Sequence, residues 1–253
     1  MITTILKGNI VSAASFGKLD ITENGYLIAE NGIIKGIFQN LPEKYSSLPI
    51  EDYSNNLILQ SFSDLHLHAP QYPMLGMGMD LPLLDWLNTY TFPTEAMFND
   101  NNYARKVYKK LAKELIENGT TRVCMFSSLH REATLILMEE LENAGITGYV
   151  GKVNMDRNSN PLLQETTKES IEETLKWLDE CKRFQYIKPM ITPRFTPSCS
   201  DELMENLGKI ADKYHLPIQS HLSENTNEIA WVQELHTDCT HLWALGQRQP
   251  LQP

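Results

Sequence analysis

The sequence predicts an α/β fold, a parallel (β/α)8-type barrel of which about five strands can be traced, behind a small N-terminal β-domain. Three observations carry that reading. Residues 1–56 are rich in β-branched and turn residues, whereas after residue 57 short apolar strands alternate with amphipathic helices. His66 and His68 sit two residues apart at the end of the first apolar strand. A third histidine, His221, sits at the end of the fifth.

The N-terminal strands come first. Residues 4–12 read as one strand; residues 26–30 and 33–38 flank Asn31-Gly32. An Asn-Gly step between two such runs predicts a hairpin, because a type I′ turn needs positive φ at both central residues. A segment this small buries little on its own, so it is expected to belong to a larger sheet.

From residue 57 the periodicity changes. Apolar strands are predicted at 57–68, 120–126, 148–153, 186–192 and 216–221. Between them, Ala104, Val107, Tyr108, Leu111 and Leu115 share a helical face that Asn118-Gly119 terminates. Leu135, Met138 and Leu141 mark a second helix closed by Gly145, and Ile171, Leu175 and Leu178 a third. Leu203, Leu207, Ile210, Ala211 and Tyr214 mark a fourth behind a Ser200 N-cap, and residues 225–235 form a last one. Alternation of this kind means a parallel sheet, open or closed. The histidines favour the barrel. Strands one and five face each other across an eight-stranded barrel, so side chains at their C-terminal ends can meet over its axis.

The chemistry follows from that placement. Residues i and i+2 of a strand point the same way, so His66 and His68 converge while Leu65 and Leu67 face away. Shuffling 7 histidines through 253 residues yields roughly 0.2 His-x-His pairs, so spacing alone decides little. Position decides more, because two unpaired imidazoles on so apolar a strand would be costly without a partner. We read them as metal ligands. His221 would be a third nitrogen ligand, and Glu224, three residues on, a proton shuttle beside a metal-activated water. His130, His215, His236 and His241 have no comparable placement and read as surface or core residues. Cys199 and Cys239 are alternative late ligands, with buried thiols as the plainer reading.

Composition narrows the classes. Four scattered cysteines without a Cys-x-x-Cys, and no leader peptide, read as reduced thiols in a cytoplasmic protein. No stretch is long and apolar enough for a membrane span, so no membrane partner is expected. A net charge of -10 without a basic patch argues against nucleic acid as a partner. A small uncharged or cationic substrate remains open.

Several segments together resemble a known family. Asp64-Leu-His66-Leu-His68-Ala-Pro-Gln71-Tyr72 and Leu81-Pro-Leu-Leu-Asp-Trp86-Leu-Asn-Thr-Tyr-Thr-Phe-Pro-Thr-Glu95 are similar to the guanine deaminases of the amidohydrolase superfamily. Gly119-Thr-Thr, Val150-Gly-Lys-Val-Asn-Met-Asp156, Ile191-Thr-Pro-Arg194-Phe195 and Ser220-His221-Leu-Ser-Glu224-Asn continue the resemblance in order, from about residue 55 to Thr240. The resemblance implies an amidohydrolase-type barrel and a zinc hydrolase converting guanine to xanthine and ammonia in purine catabolism. It implies one zinc ion per subunit held by His66, His68 and His221, with Glu224 relaying a proton to the purine. Gln71, Trp86, Arg194 and Phe195 are implied to hold a guanine or related small purine. The family's dimeric habit makes a second copy of the chain a candidate partner.

The same resemblance also implies an incomplete barrel. The family places a fourth histidine after the sixth strand and an essential aspartate after the eighth, and neither context occurs here. Asp238 and His241 stand outside it. On this reading residues 1–56 are part of a β-sandwich, 57–240 a partial metal-dependent hydrolase barrel, and 241–253 a disordered or altered tail of a C-terminally truncated chain. An open barrel edge would expose apolar faces, so a stable monomer is not expected. Two other functions stay open: an amidohydrolase acting on a different aminated heterocycle, and a truncated chain without activity.

Overall fold

The computed structural model describes residues 2–236, which fall into two units divided between Ser61 and Phe62. No helix among the described residues is long and apolar enough to cross a membrane.

The first unit is a four-stranded sheet in the order β3-β2-β1-β4, built from β1 (Thr3–Ser15), β2 (Lys18–Glu30), β3 (Ile33–Phe38) and β4 (Glu51–Leu59). The hairpin expected at Asn31-Gly32 forms there, with φ of 51° and 79° at the two turn residues. Its strands run longer than the apolar cores that signalled them. β1 pairs antiparallel with β2 and parallel with β4. Ile5, Ile28 and Tyr45 form a small core, and the Tyr45 hydroxyl donates to Glu30 Oε1 at 2.9 Å.

The apolar run expected as one strand over 57–68 is two strands. Leu57, Ile58 and Leu59 pair with β1, and a new strand, β5 (Phe62–His68), starts after Gln60-Ser61. An apolar run does not show where one sheet hands the chain to the next, because both sheets ask for the same residue types.

The second unit winds as the periodicity predicts. After β5 come α1 (Leu83–Trp86), a π-helical turn over Leu87–Thr91 and α2 (Phe92–Ala96). The widened turn lies just before Pro93, whose missing N–H cannot join an ordinary helical ladder. Then follow α3 (Asn101–Glu117), β6 (Thr120–Phe126), α4 (Arg131–Asn143), β7 (Thr147–Gly151), β8 (Val153–Asn154) and α5 (Thr167–Glu180). Last are β9 (Ile187–Pro189), β10 (Thr192–Pro193), α6 (Asp201–Tyr214) and α7 (Thr226–Leu235). β5, β6, β7 and β9 are parallel neighbours in sequence order, and β8 and β10 continue the third and fourth strands. Unbroken sequence order is how a barrel winds, whereas a doubly wound sheet reverses at a switch point. The described strands do not close.

Two predicted strands break in the middle for a steric reason. A Cβ on Gly151 would meet Thr192 Oγ1 at 1.7 Å, so the third and fourth strands pinch together where β7 gives way to β8. The fifth strand, expected at 216–221, is reduced to two bridges, Ile191 to Ile218 and Phe195 to His221. It is paired on one side only, and Pro217 offers no backbone donor.

Helix faces mostly follow the sequence. Ala104, Tyr108 and Leu111 of α3, Leu135, Met138 and Leu141 of α4, and Leu203, Leu207 and Ile210 of α6 are buried. Ser200 caps α6 as expected, accepting from the Leu203 N–H. α5 departs from expectation. Its buried stripe is Ser170, Thr174, Trp177 and Leu178, while Leu175 is 37% exposed. The buried Asn154 amide explains the polar members, since it donates at 2.8 Å to both Ser170 Oγ and Thr174 Oγ1.

The Glu142 carboxylate ties the end of α4 to the start of β9. It accepts backbone N–H groups from Gln185 (2.9 Å), Tyr186 (3.0 Å) and Ile187 (3.2 Å). Burial pushes its pKa up, but those three donors and nearby Lys188 outweigh burial and hold it below the usual value. A depressed folded pKa means stability present at neutral pH and lost as pH falls through the carboxylate range. Glu142→Gln should therefore cost about 1–2 kcal/mol at pH 7 in urea denaturation, and the difference should shrink towards zero near pH 3.

Candidate active site

The site lies at the C-terminal ends of the parallel strands. In-register pairing puts His68 beside Phe126 and Phe126 beside Gly151, and the last bridge puts His221 beside Phe195. His66 and His68 end β5, and His221 ends the fifth segment, as the alternation predicted.

One ligand atom from each of His66, His68 and His221 lies within 4.8 Å of the other two. His68 Nε2 and His221 Nε2 are 2.9 Å apart. The His68 and His221 rings stack at 4.9 Å, and His66 stands edge-on to both. Phe126, fully buried, stacks on His68 with centroids 4.5 Å apart and so floors the cluster.

Arg194 fixes the third ring. Its carbonyl oxygen accepts the His221 backbone N–H at 3.0 Å and His221 Nδ1 at 2.6 Å. Nδ1 therefore carries the proton in the neutral ring and Nε2 presents its lone pair. His68 Nδ1 is buried without a partner among the described residues, so nothing comparable among them fixes that ring. Burial, then the Arg194 charge and the neighbouring imidazoles, hold His68 well below its usual pKa. Burial also lowers His221, against the raising effects of the Arg194 carbonyl and Glu224. Rings kept neutral, with two nitrogen atoms aimed at each other at hydrogen-bond range, fit a metal ion that takes nitrogen ligands.

A cavity of about 270 Å³ opens on this cluster, lined by the three histidines and by Gln71, Trp86, Arg194, Phe195 and Glu224. The three histidines, Glu224 and the four residues implied to hold the purine thus border one cavity. The Trp86 indole N–H donates to the Met77 carbonyl at 2.9 Å, which orients the ring. Gly78 lies close beneath, where a Cβ would come within 2.5 Å of the Tyr90 ring. Phe195 packs edge-on against Trp231 of α7 at 6.3 Å.

Three residues with evident work here were not picked out from the sequence. Phe126 is one; its place at the end of the strand next to His68 was the available signal. Glu95 is the second, 1% exposed, its carboxylate gripping the Arg194 guanidinium at 2.5 and 3.1 Å. It also accepts from Gln71 Nε2 at 3.2 Å. The third is Glu228, also 1% exposed, whose carboxylate accepts the backbone N–H groups of Ser223 (3.3 Å) and Glu224 (2.6 Å). That clamp holds the loop carrying Glu224, in which Ser223 takes a left-handed φ of 55°.

The remaining polar residues lie elsewhere. His130, His215 and His236 do not join the cluster. Cys199 is fully buried in the main core with its thiol directed at the Asn154 carbonyl, 3.2 Å away. Asp238, Cys239 and His241, and the tail expected from 241, lie outside the described residues.

A model of the amidohydrolase family matches residues 57–248. The chain belongs to the amidohydrolase family. Among curated amidohydrolases of this kind, the guanine deaminase of Dictyostelium discoideum is 37% identical over 93% of this chain and 56% of its own length. The guanine deaminase of Rattus norvegicus is 47% identical over 68% of this chain and 39% of its own. The chain thus spans about half the length of the curated relatives it matches. A crystal structure of the guanine deaminase from C. acetobutylicum, with guanine bound in its active site, superposes with a TM-score of 0.93 at 46% identity. That match covers 98% of this chain and 59% of the other.

The Glu228 clamp gives a stability expectation. Glu228→Ala takes the buried acceptor from two backbone donors on an exposed loop and should lower stability by about 1–2 kcal/mol, read from the urea midpoint.

Proposed function

We propose that this amidohydrolase carries out hydrolytic deamination of guanine, water adding at the carbon that bears the amino group and ammonia leaving to give xanthine. The observation that carries the reading is one cavity bordered at once by three imidazoles, a carboxylate, an amide and a guanidinium. Its similarity over most of the chain to a deaminase holding guanine supports the choice of ligand.

His66, His68 and His221 would hold one zinc ion per subunit. Bound there, zinc would supply Lewis-acid activation of water. Glu224 stands beside His221 on a loop pinned by Glu228, where its carboxylate takes a proton and delivers it to a ring nitrogen of the base. Gln71 and Arg194 satisfy the polar edge of the heterocycle, and Phe195 and Trp86 supply apolar surface for its faces. The cavity volume lies just below the roughly 300–1,000 Å³ usual for larger ligands, which suits a single small base. The same reading makes purine catabolism the setting, the cytoplasm the compartment and a homodimer the assembly.

The test is xanthine formation from guanine by the purified 253-residue chain supplied with zinc. Glu224→Gln should lower turnover by at least about 100-fold with zinc content unchanged, since it removes proton transfer and leaves all three imidazoles. His221→Ala should lose the zinc itself, measured by elemental analysis after dialysis. A chain that folds and holds zinc, yet deaminates another heterocycle faster than guanine, would replace this reading.

A further inference from the structure

Gln71 and Arg194 both face the cavity, and behind them both stands one acid. The two Arg194 Nη atoms meet the two oxygen atoms of Glu95 at 2.5 and 3.1 Å, and Gln71 Nε2 meets Oε1 at 3.2 Å. The Phe92 ring lies 5.1 Å from the guanidinium carbon and holds its plane. Glu95 and Arg194 side chains are 2% and 4% exposed, so this is a buried, two-pronged pair.

The chemistry of that contact has two consequences. An ionised carboxylate only accepts, so the Gln71 amide must turn its NH2 to Glu95 and keep its carbonyl oxygen at the other end. The amide sense of Gln71 is set by Glu95. In addition, the carboxylate offsets part of the Arg194 charge, which weakens the pull of its remaining N–H donors on anions.

We propose that Glu95 is a specificity-determining positioning residue. By offsetting the Arg194 charge and fixing the amide sense of Gln71, it makes the pocket read a neutral heterocycle that offers a donor to Gln71 and an acceptor to Arg194. The proposal deepens the guanine reading and rests on it.

The experiment compares wild type with Glu95→Gln and Glu95→Asp, each checked for zinc content and melting temperature. Binding is titrated with guanine and with urate, an anion at neutral pH. Glu95→Gln leaves Arg194 uncompensated and can donate to Gln71, turning the amide round. The guanine-to-urate affinity ratio should fall at least about 10-fold in that variant. Glu95→Asp keeps the charge, so guanine affinity should fall while the ratio stays near that of wild type. A Glu95→Gln protein that binds both ligands less well in proportion has lost only structure, and the proposal is overturned. Should Glu95→Gln fail to fold, a changed ratio in Glu95→Asp overturns it and a preserved ratio supports it. Should wild type prefer another neutral heterocycle, the guanine reading fails and that heterocycle replaces guanine in the ratio. If no heterocycle binds at all, the crystal structure of Glu95→Gln decides: Arg194 and Gln71 displaced supports the proposal, and both unmoved overturns it.

Discussion

Arg194 is the residue on which the site depends, because its backbone and side chain tie three parts of the barrel unit together. Its N–H reaches back to Asn154 at the end of the third strand. Its carbonyl takes both the backbone and the ring N–H of His221. Its guanidinium holds Glu95 on α2. A single residue thus sets the tautomer of one candidate ligand, the level of the last bridge and the position of α2. Removing the side chain would leave Glu95 buried without a counter-ion, a change that buried pairs tolerate badly.

Holding a charged pair in so dry a place costs desolvation energy that an apolar pair of similar size would not. The arrangement therefore makes more sense as a device for orientation than as a source of stability. A guanidinium gripped at both Nη atoms and underlain by Phe92 cannot swing, and a carboxylate so gripped offers Gln71 a fixed partner. The cavity wall is rigid where hydrogen bonds are read and apolar where ring faces pack. Glu228 applies the same logic to the loop after the fifth segment, using a buried acid to hold two backbone donors next to Glu224.

What could be read from the sequence was whatever a local pattern encodes. Period-two alternation placed His66 and His68 on one side of β5, and strand counting put His221 opposite them. The first follows from the pleat of a strand and the second from the order of (β/α) units. The resemblance supplied Gln71, Trp86, Arg194 and Phe195, whose types alone would have passed for ordinary core or surface residues. Long-range partnership could not be read. Glu95 lies 99 positions from Arg194, and nothing in its own neighbourhood marks it as buried. The α5 face was misjudged for the same reason, since Ser170 and Thr174 turn inward only because Asn154 is waiting for them. The joint at Gln60-Ser61 was hidden because strands that follow one another in different sheets share one composition.

The imidazole cluster poses an electrostatic problem that has two solutions, a shared proton or a metal ion. Two ring nitrogens 2.9 Å apart need a proton or a cation between them, since facing lone pairs repel. The Arg194 carbonyl has already claimed the His221 proton at Nδ1, and burial beside Phe126 makes a charged His68 costly. A neutral His68 that carries its proton on Nε2 can instead donate to the His221 lone pair, which satisfies the two atoms without any charge. A metal ion resolves the conflict differently, because it brings charge together with bonds to lone pairs that the fold has kept free. Glu95 contributes at one remove: by pairing with Arg194 it keeps a second uncompensated cation from facing the same gap.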